Sequence, residues 1–227
     1  MLVGARTAAW AKSGVIPSDF RMVEWIEADN SKVTSYGDVK FWVDTGIDAG
    51  LNHRWEIGVQ FIGFGGTAGC YGRAGDRFAF GRGSASWSDW YFGLGSVNTR
   101  TGYGNVYDSV YHDFILDAKG GKWSVDDRFG ILPSGTWYNY GGTIYLFARH
   151  AKATGVDRVE NDTSKSRLYY SRLYESNNLI QELVPVRRVT DNKGYMCDTL
   201  TGKLYGNAGT GAFVIGPDKV GTEVAGG

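Results

Sequence analysis

Cysteine and proline are scarce in this 227-residue chain, with 2 and 4 residues, and net charge is absent, since 24 Lys and Arg balance 24 Asp and Glu. Cys70 and Cys197 lie far apart and have no Cys or His neighbours at metal-ligand spacing, which excludes a disulfide framework and a zinc cluster. Each reads as a buried free thiol. A net charge of +0 and a pI near 6.8 leave no overall field to hold nucleic acid or an anionic membrane surface. Near-zero charge also gives little colloidal repulsion, a condition that suits an assembled subunit. No apolar run approaches the roughly 20 residues that a helix needs to span a bilayer. The opening twelve residues, Met1 to Lys12, are interrupted by Arg6 and lack a sustained apolar core, so they do not read as a secretory signal. His53, His112 and His150 are isolated, and no Gly-x-Ser-x-Gly elbow is present, so neither a metal site nor a serine hydrolase is indicated.

What the chain has in quantity is glycine, 34 residues, and aromatics, 15% of the total. That pairing suits many twisted strands joined by tight turns and argues against long helices. In Arg54 to Ile62, the residues Trp55, Ile57, Val59 and Phe61 fall on one face and Arg54, Glu56, Gly58 and Gln60 on the other. A period of two marks a half-buried antiparallel strand. Similar short runs recur to the C-terminal third, and Gly120-Gly121 between two of them signals a hairpin, because glycine enters positive φ without steric cost. The expected fold is all-β: two packed antiparallel sheets in a jelly-roll sandwich, with helices few and short. Residues 1–18, which end in Gly14-Val15-Ile16-Pro17-Ser18, read as an N-terminal arm, and residues 19–227 as the sandwich domain. The arm is either a docking segment, with Arg6, Trp10 and Lys12 as its contact residues, or a terminus that is frayed or packed on the sandwich.

Several stretches are similar to the concanavalin-A-like (laminin-G-like) sandwich domains of phage structural proteins and gut-bacterial surface proteins. They are Ile16-Pro17-Ser18-Asp19-Phe20 leading to Val23-Glu24-Trp25-Ile26-Glu27, then Val43-Asp44-Thr45-Gly46-Ile47. Ser171-Arg172-Leu173-Tyr174, Leu183 to Arg188, Gly194 to Asp198 and Gly202 to Phe213 complete the set. The opening Gly4 to Gly14 also resembles leaders of gut-phage and related bacterial proteins. The resemblance implies a virion structural protein, a capsid decoration, head-fibre or tail-associated subunit, found in the virion, with the bacterial cell surface as the alternative location. Implied partners are other virion proteins, further copies of the chain and a host cell-surface glycan, with no nucleic acid and no membrane insertion. Asp198 and Thr199 would close a turn, and Gly202, Gly206, Gly209 and Gly211 would permit the bends that return the last strand to its sheet.

Related sandwiches include glucanases, whose chemistry needs two carboxylates facing each other across a sugar bond. Glu24 and Glu27 are three apart and Asp126 and Asp127 adjacent, so each pair diverges on a strand. No enzyme is expected, and no cofactor. Asp157, Glu160, Asn161 and Asp162 form a polar stretch, but Arg158 and Lys165 share it and no chelating Gly turn is present, so no metal is assigned. Glycan binding requires aromatics outside the core beside polar partners, because sugars dock their apolar faces on rings while polar groups fix the hydroxyls. Trp87 and Trp90 in one turn-rich stretch, and Trp137, Tyr138 and Tyr140 in another, are the candidates. The opposing expectation for any single Trp is burial between the sheets.

Overall fold

A computed structural model of the chain describes residues 15–32, 39–64, 70–74, 77–82, 89–102, 109–133, 135–138, 140–160 and 164–220. Its strands, in chain order, are β1 (Phe20–Met22), β2 (Ile26–Asp29), β3 (Val43–Asp48), β4 (His53–Phe64), β5 (Cys70–Ala74), β6 (Arg77–Arg82) and β7 (Trp90–Gly95). Then come β8 (Val97–Arg100), β9 (Tyr111–Asp117), β10 (Lys122–Val125), β11 (Arg128–Ile131), β12 (Thr143–Leu146) and β13 (Arg149–Ala153). The rest are β14 (Val156–Glu160), β15 (Ser164–Glu175), β16 (Asn178–Arg188), β17 (Gly194–Asp198), β18 (Leu204–Tyr205) and β19 (Val214–Ile215). The fold is all-β, as the alternation implies. Where a few short helices were expected, the described residues contain none.

The larger sheet runs β11-β10-β9-β4-β15-β16-β17-β18, with β1 on β16 and β2 between β15 and β19. The smaller runs β14-β13-β5-β6-β7-β8, with β12 joining β3 to β5. Nearly every pairing is antiparallel, whereas β5 and β13 pair in parallel over Gly72 to Ala74, an element that the sequence pattern does not announce. The hairpin at Gly120-Gly121 is present between β9 and β10, with Gly121 at φ 62°.

Side-chain parity explains why these sheets face each other. Trp55, Ile57, Val59 and Phe61 of β4 are all buried, as are Phe78 and Phe80 of β6 and Phe114 and Leu116 of β9. They meet in one core: Trp55 packs edge-on to Phe80 with centroids 5.2 Å apart, Phe80 stacks on Phe114 at 4.5 Å, and Phe92 stacks on Trp123 at 5.4 Å. Each such ring contributes about 1.5–3 kcal/mol by leaving water, and offset or edge-on pairing adds to that.

A satellite cluster forms on the other face of the larger sheet, where Phe20, Val184, Val186 and Cys197 are covered by Ile16, Met22 and Tyr195. Val15 donates its backbone N–H to the Thr199 carbonyl at 2.8 Å. Val15 and Ile16 thus lie against the sandwich surface, and Arg6, Trp10 and Lys12 lie outside the described residues. Cys197 is a free, buried cysteine, and burial pushes its thiol up to about 11.

Candidate functional site

Between β11 and β12 the described residues 135–138 and 140–142 form a strap that runs from one edge of the smaller sheet to β3, and its ends are tied down by specific bonds. At the first end Ser96 donates its N–H to the Thr136 carbonyl, and Thr136 donates its own to Ser96 Oγ, both at 3.0 Å. At the second, Gly142 donates its N–H to Asp48 Oδ1 at 2.8 Å. Gly142 stands at φ 115°, and a Cβ there would lie 2.9 Å from Lys152 Cβ, so only glycine fits.

Within the strap the side chains divide. Trp137 is half-buried and packs against the main core, which seats the strap. Tyr138 and Tyr140 turn outward, 55% and 37% exposed, and their rings stack at 5.5 Å with 24° between planes. A stacked, outward pair on a strap pinned at both ends is a preorganised aromatic surface of the kind that receives the apolar face of a sugar ring.

Polar groups gather where the strap ends. His150 stacks on Tyr145 at 4.4 Å and 6°, with Nε2 2.9 Å from Asp157 Oδ1 and Nδ1 3.1 Å from the Thr143 carbonyl oxygen. Lys152 donates to the other oxygen of Asp157. The Lys152 and His150 bonds hold the Asp157 carboxyl below its ordinary value. Burial, with Asp44 and Asp157 nearby, pushes the Tyr145 phenol up to about 12.

A second constellation covers the outward face of the larger sheet. Tyr111 and Tyr170 both donate to Asp113 Oδ1, the latter at 2.7 Å, while Tyr169 donates to Gln60 Oε1 at 2.9 Å. Glu56 accepts from Arg54 and from Tyr174, and Glu182 accepts from Arg172 at 2.7 Å and from Thr199 Oγ1 at 2.5 Å. Burial drives the Tyr111 and Tyr170 phenols well above their ordinary value, with Asp113 adding to it. Glu56 and Asp113, from neighbouring strands β4 and β9, are outward-facing carboxylates on adjoining rows of the pairing. Both serve as acceptors for groups of their own sheet. Sequence reading missed this pairing because the two acids are distant in the chain. The available signal was their parity, opposite to Trp55 on β4 and to Phe114 on β9.

Of the aromatic candidates, Trp137, Tyr138 and Tyr140 are brought together on the strap. Trp90 is not at the surface: it is 1% exposed, with its ring 4.9 Å from Phe114. The reason is parity, which points it between the sheets, so it has no face to offer a ligand. Trp87 lies outside the described residues. Glu27 is buried and spans Arg167 and Lys165 at 2.9 and 3.0 Å. In the polar stretch weighed for calcium, Asp157 is engaged by Lys152 and His150, and Glu160 by Arg149 and Arg158. Asn161 and Asp162 lie outside the described residues. Among the described residues, no helix is long and apolar enough to cross a membrane. No known protein family matches the chain, and no curated protein matches it.

Proposed function

We propose that this chain is a non-catalytic display module whose strap binds a cell-surface glycan by stacking sugar rings on Tyr138 and Tyr140. The observation that carries the reading is the outward stacked pair on a segment hydrogen-bonded at both ends and plugged by Trp137. Rings held in place lose little entropy on binding, so modest contact area becomes affinity. A non-catalytic role is supported by the state of the acids. Glycoside hydrolysis needs one carboxyl that protonates the leaving oxygen and another that attacks or activates water. Glu56 and Asp113 instead accept hydrogen bonds from Arg54, Tyr174, Tyr111 and Tyr170.

The setting of the module is proposed from the resemblance in residues 4–14 and 194–213. It is a structural subunit of a phage particle, a decoration, head-fibre or tail-associated protein, with other virion proteins and further copies as neighbours. The bacterial cell surface is the alternative location.

The test is a glycan array probed with the intact chain and with a Tyr138→Ala, Tyr140→Ala double variant, alongside an assay for released reducing ends. Saturable binding that the variant weakens by about tenfold, or about 1.4 kcal/mol, without sugar release, supports the reading. Equal binding by both proteins, or liberated reducing ends, contradicts it.

A further inference from the structure

A sheet that does not close on itself ends in strands with one unpaired side, and proteins guard such edges with charge, shortness or proline. At three ends of the two sheets that guard is visible. β14 carries Asp157, Arg158 and Glu160, β8 ends in Arg100 with Asn98 exposed, and β18 is 2 residues long. β11, at the remaining end, differs: Phe129, Gly130 and Ile131 carry no charge, and the side chains of Phe129 and Ile131 are largely exposed.

The backbone of β11 is equally one-sided. Leu132 donates its N–H to the Gly121 carbonyl at 2.9 Å, and the register continues with Lys122 opposite Ile131, Trp123 opposite Gly130, Ser124 opposite Phe129 and Val125 opposite Arg128. Bonded and unbonded pairs alternate in an antiparallel ladder, so Gly130 and Arg128 are the residues that bond to β10. Phe129 and Ile131 therefore aim their N–H and C=O groups away from the sheet, on the side where, among the described residues, no strand lies. Their side chains stand on the outward face, because Gly130 between them faces the Trp123 ring.

We propose that β11 pairs with β11 of a second copy of this chain, antiparallel about a two-fold axis at Gly130, so that the larger sheets of two chains run together as one. The strand is complementary to itself in this register. Phe129 of each copy meets Ile131 of the other, where the free backbone groups exchange N–H···O bonds and the two side chains cover one another. Gly130 meets Gly130 at an unbonded pair, where Cα atoms approach most closely, and neither brings a Cβ. Arg128 meets Leu132, so no charge meets its own copy. Neighbouring registers fit less well. Phe129 against Phe129 sets Asp127 of the turn opposite Ile131, and Ile131 against Ile131 sets Pro133, which has no N–H, opposite Phe129. The net charge of +0 removes long-range repulsion between copies. A two-fold contact occupies both edges at once, so this edge admits no third chain. One short strand pair is smaller than the about 1,600 Å² of a standard interface, so copies join at high local concentration, as in an array, and part on dilution. The contact rests on the neighbouring copies proposed above and not on the glycan role.

The experiment follows the full-length, isotopically labelled chain by sedimentation from about 10 µM to about 1 mM, a range that spans weak association, with amide exchange measured at both ends of it. Expected is a dimer that forms as concentration rises, with exchange at Phe129 and Ile131 slowed about tenfold. Gly130, bonded to β10 in either state, should be unchanged. Ile131→Lys, at an exposed position, should keep the dilute chain's spectrum and weaken association about tenfold or more. A chain that stays monomeric throughout overturns the proposal, and so does growth through β11 past the dimer. A dimer in which Phe129 and Ile131 exchange as they do in the monomer places the contact elsewhere and also overturns it, a result that needs no variant to fold. Protection of those amides only by an added extended peptide, with the chain itself monomeric, assigns the edge to another partner and overturns it too. A β11 dimer in a chain that binds no glycan refutes the binding role and leaves the contact standing.

Discussion

Gly130 lies flat against the Trp123 indole: a Cβ built on the glycine would stand 2.5 Å from Cε2 and Cζ2 of the ring. Trp123 is buried and stacks on Phe92 across the core, so it has little room to retreat. Gly130→Ala should therefore destabilise the fold by about 1–3 kcal/mol, the usual cost of overpacking. Urea unfolding measures it. No change in midpoint would mean that edge strand β11 shifts freely away from the ring.

On the same strand the neighbours behave oppositely. Phe129 and Ile131 are 80% and 78% exposed on the outward face. Replacing either with serine should leave the unfolding free energy within about 0.5 kcal/mol. A loss of several kcal/mol would show that the intact protein covers them.

Arg172 and Glu182 form an ion pair whose side chains are 15% and 5% exposed, and Thr199 completes the acceptor set of Glu182. Arg172→Met strands a buried carboxylate and should cost about 3–5 kcal/mol, whereas adding Glu182→Leu should restore much of it. The double variant's melting temperature is the deciding number. If it is as unstable as the single variant, the pair contributes more than charge compensation.

Stability should vary with pH in a definite order. In Asp157 the Lys152 bond, and in Asp218 the Arg187 bond, lower the carboxyl. Burial alone would raise Asp126, but the His112 bond and the Asp113 N–H override it and lower its value. Groups depressed in the folded state stabilise above their unfolded values and lose that contribution as pH falls through the folded ones, so stability should decline below about pH 4. Lys219, which burial brings down to about 8 from 10.5, acts with the same sign at higher pH. Between those values the unfolded chain binds more protons, so stability should rise with pH. Tyr111 and Tyr170, raised by burial, reverse the slope above about pH 10, where unfolded phenols ionise and the folded ones do not. Urea midpoints across about pH 3 to about pH 11 would show the rise and the fall. A steady decline from neutrality upward would contradict the Lys219 assignment.

The all-β, two-layer arrangement was legible because alternation is a local property: Trp55 to Phe61 announce both a strand and its buried face. The β5–β13 parallel pair was not, since it depends on which chain ends meet, and nothing in Arg149 to Ala151 encodes the choice of neighbour. The glycines of the C-terminal stretch were legible as required, but for another reason. Gly209 is there to let the Lys40 carbonyl approach, as a Cβ would lie 2.2 Å from that oxygen, and Asn207 donates to the same carbonyl at 2.8 Å. At the site, Tyr138 and Tyr140 stood out by their glycine-flanked setting. Trp90 stayed among the candidates, because composition does not reveal which way a strand's first residue points, and its burial follows the general expectation for a Trp in a sandwich. His150 looked isolated, since Asp157 meets it only when β13 and β14 pair.

The proposed binding role depends most on where a glycan touches the chain. Titrating labelled protein with the saccharide that an array selects, and following backbone amide shifts, maps that contact directly. The strap account predicts shifts confined to residues 135–142 and their neighbours on β3 and β13. Shifts centred instead on Glu56, Asp113 and Tyr170 would move the site to the outward face of the larger sheet and contradict it.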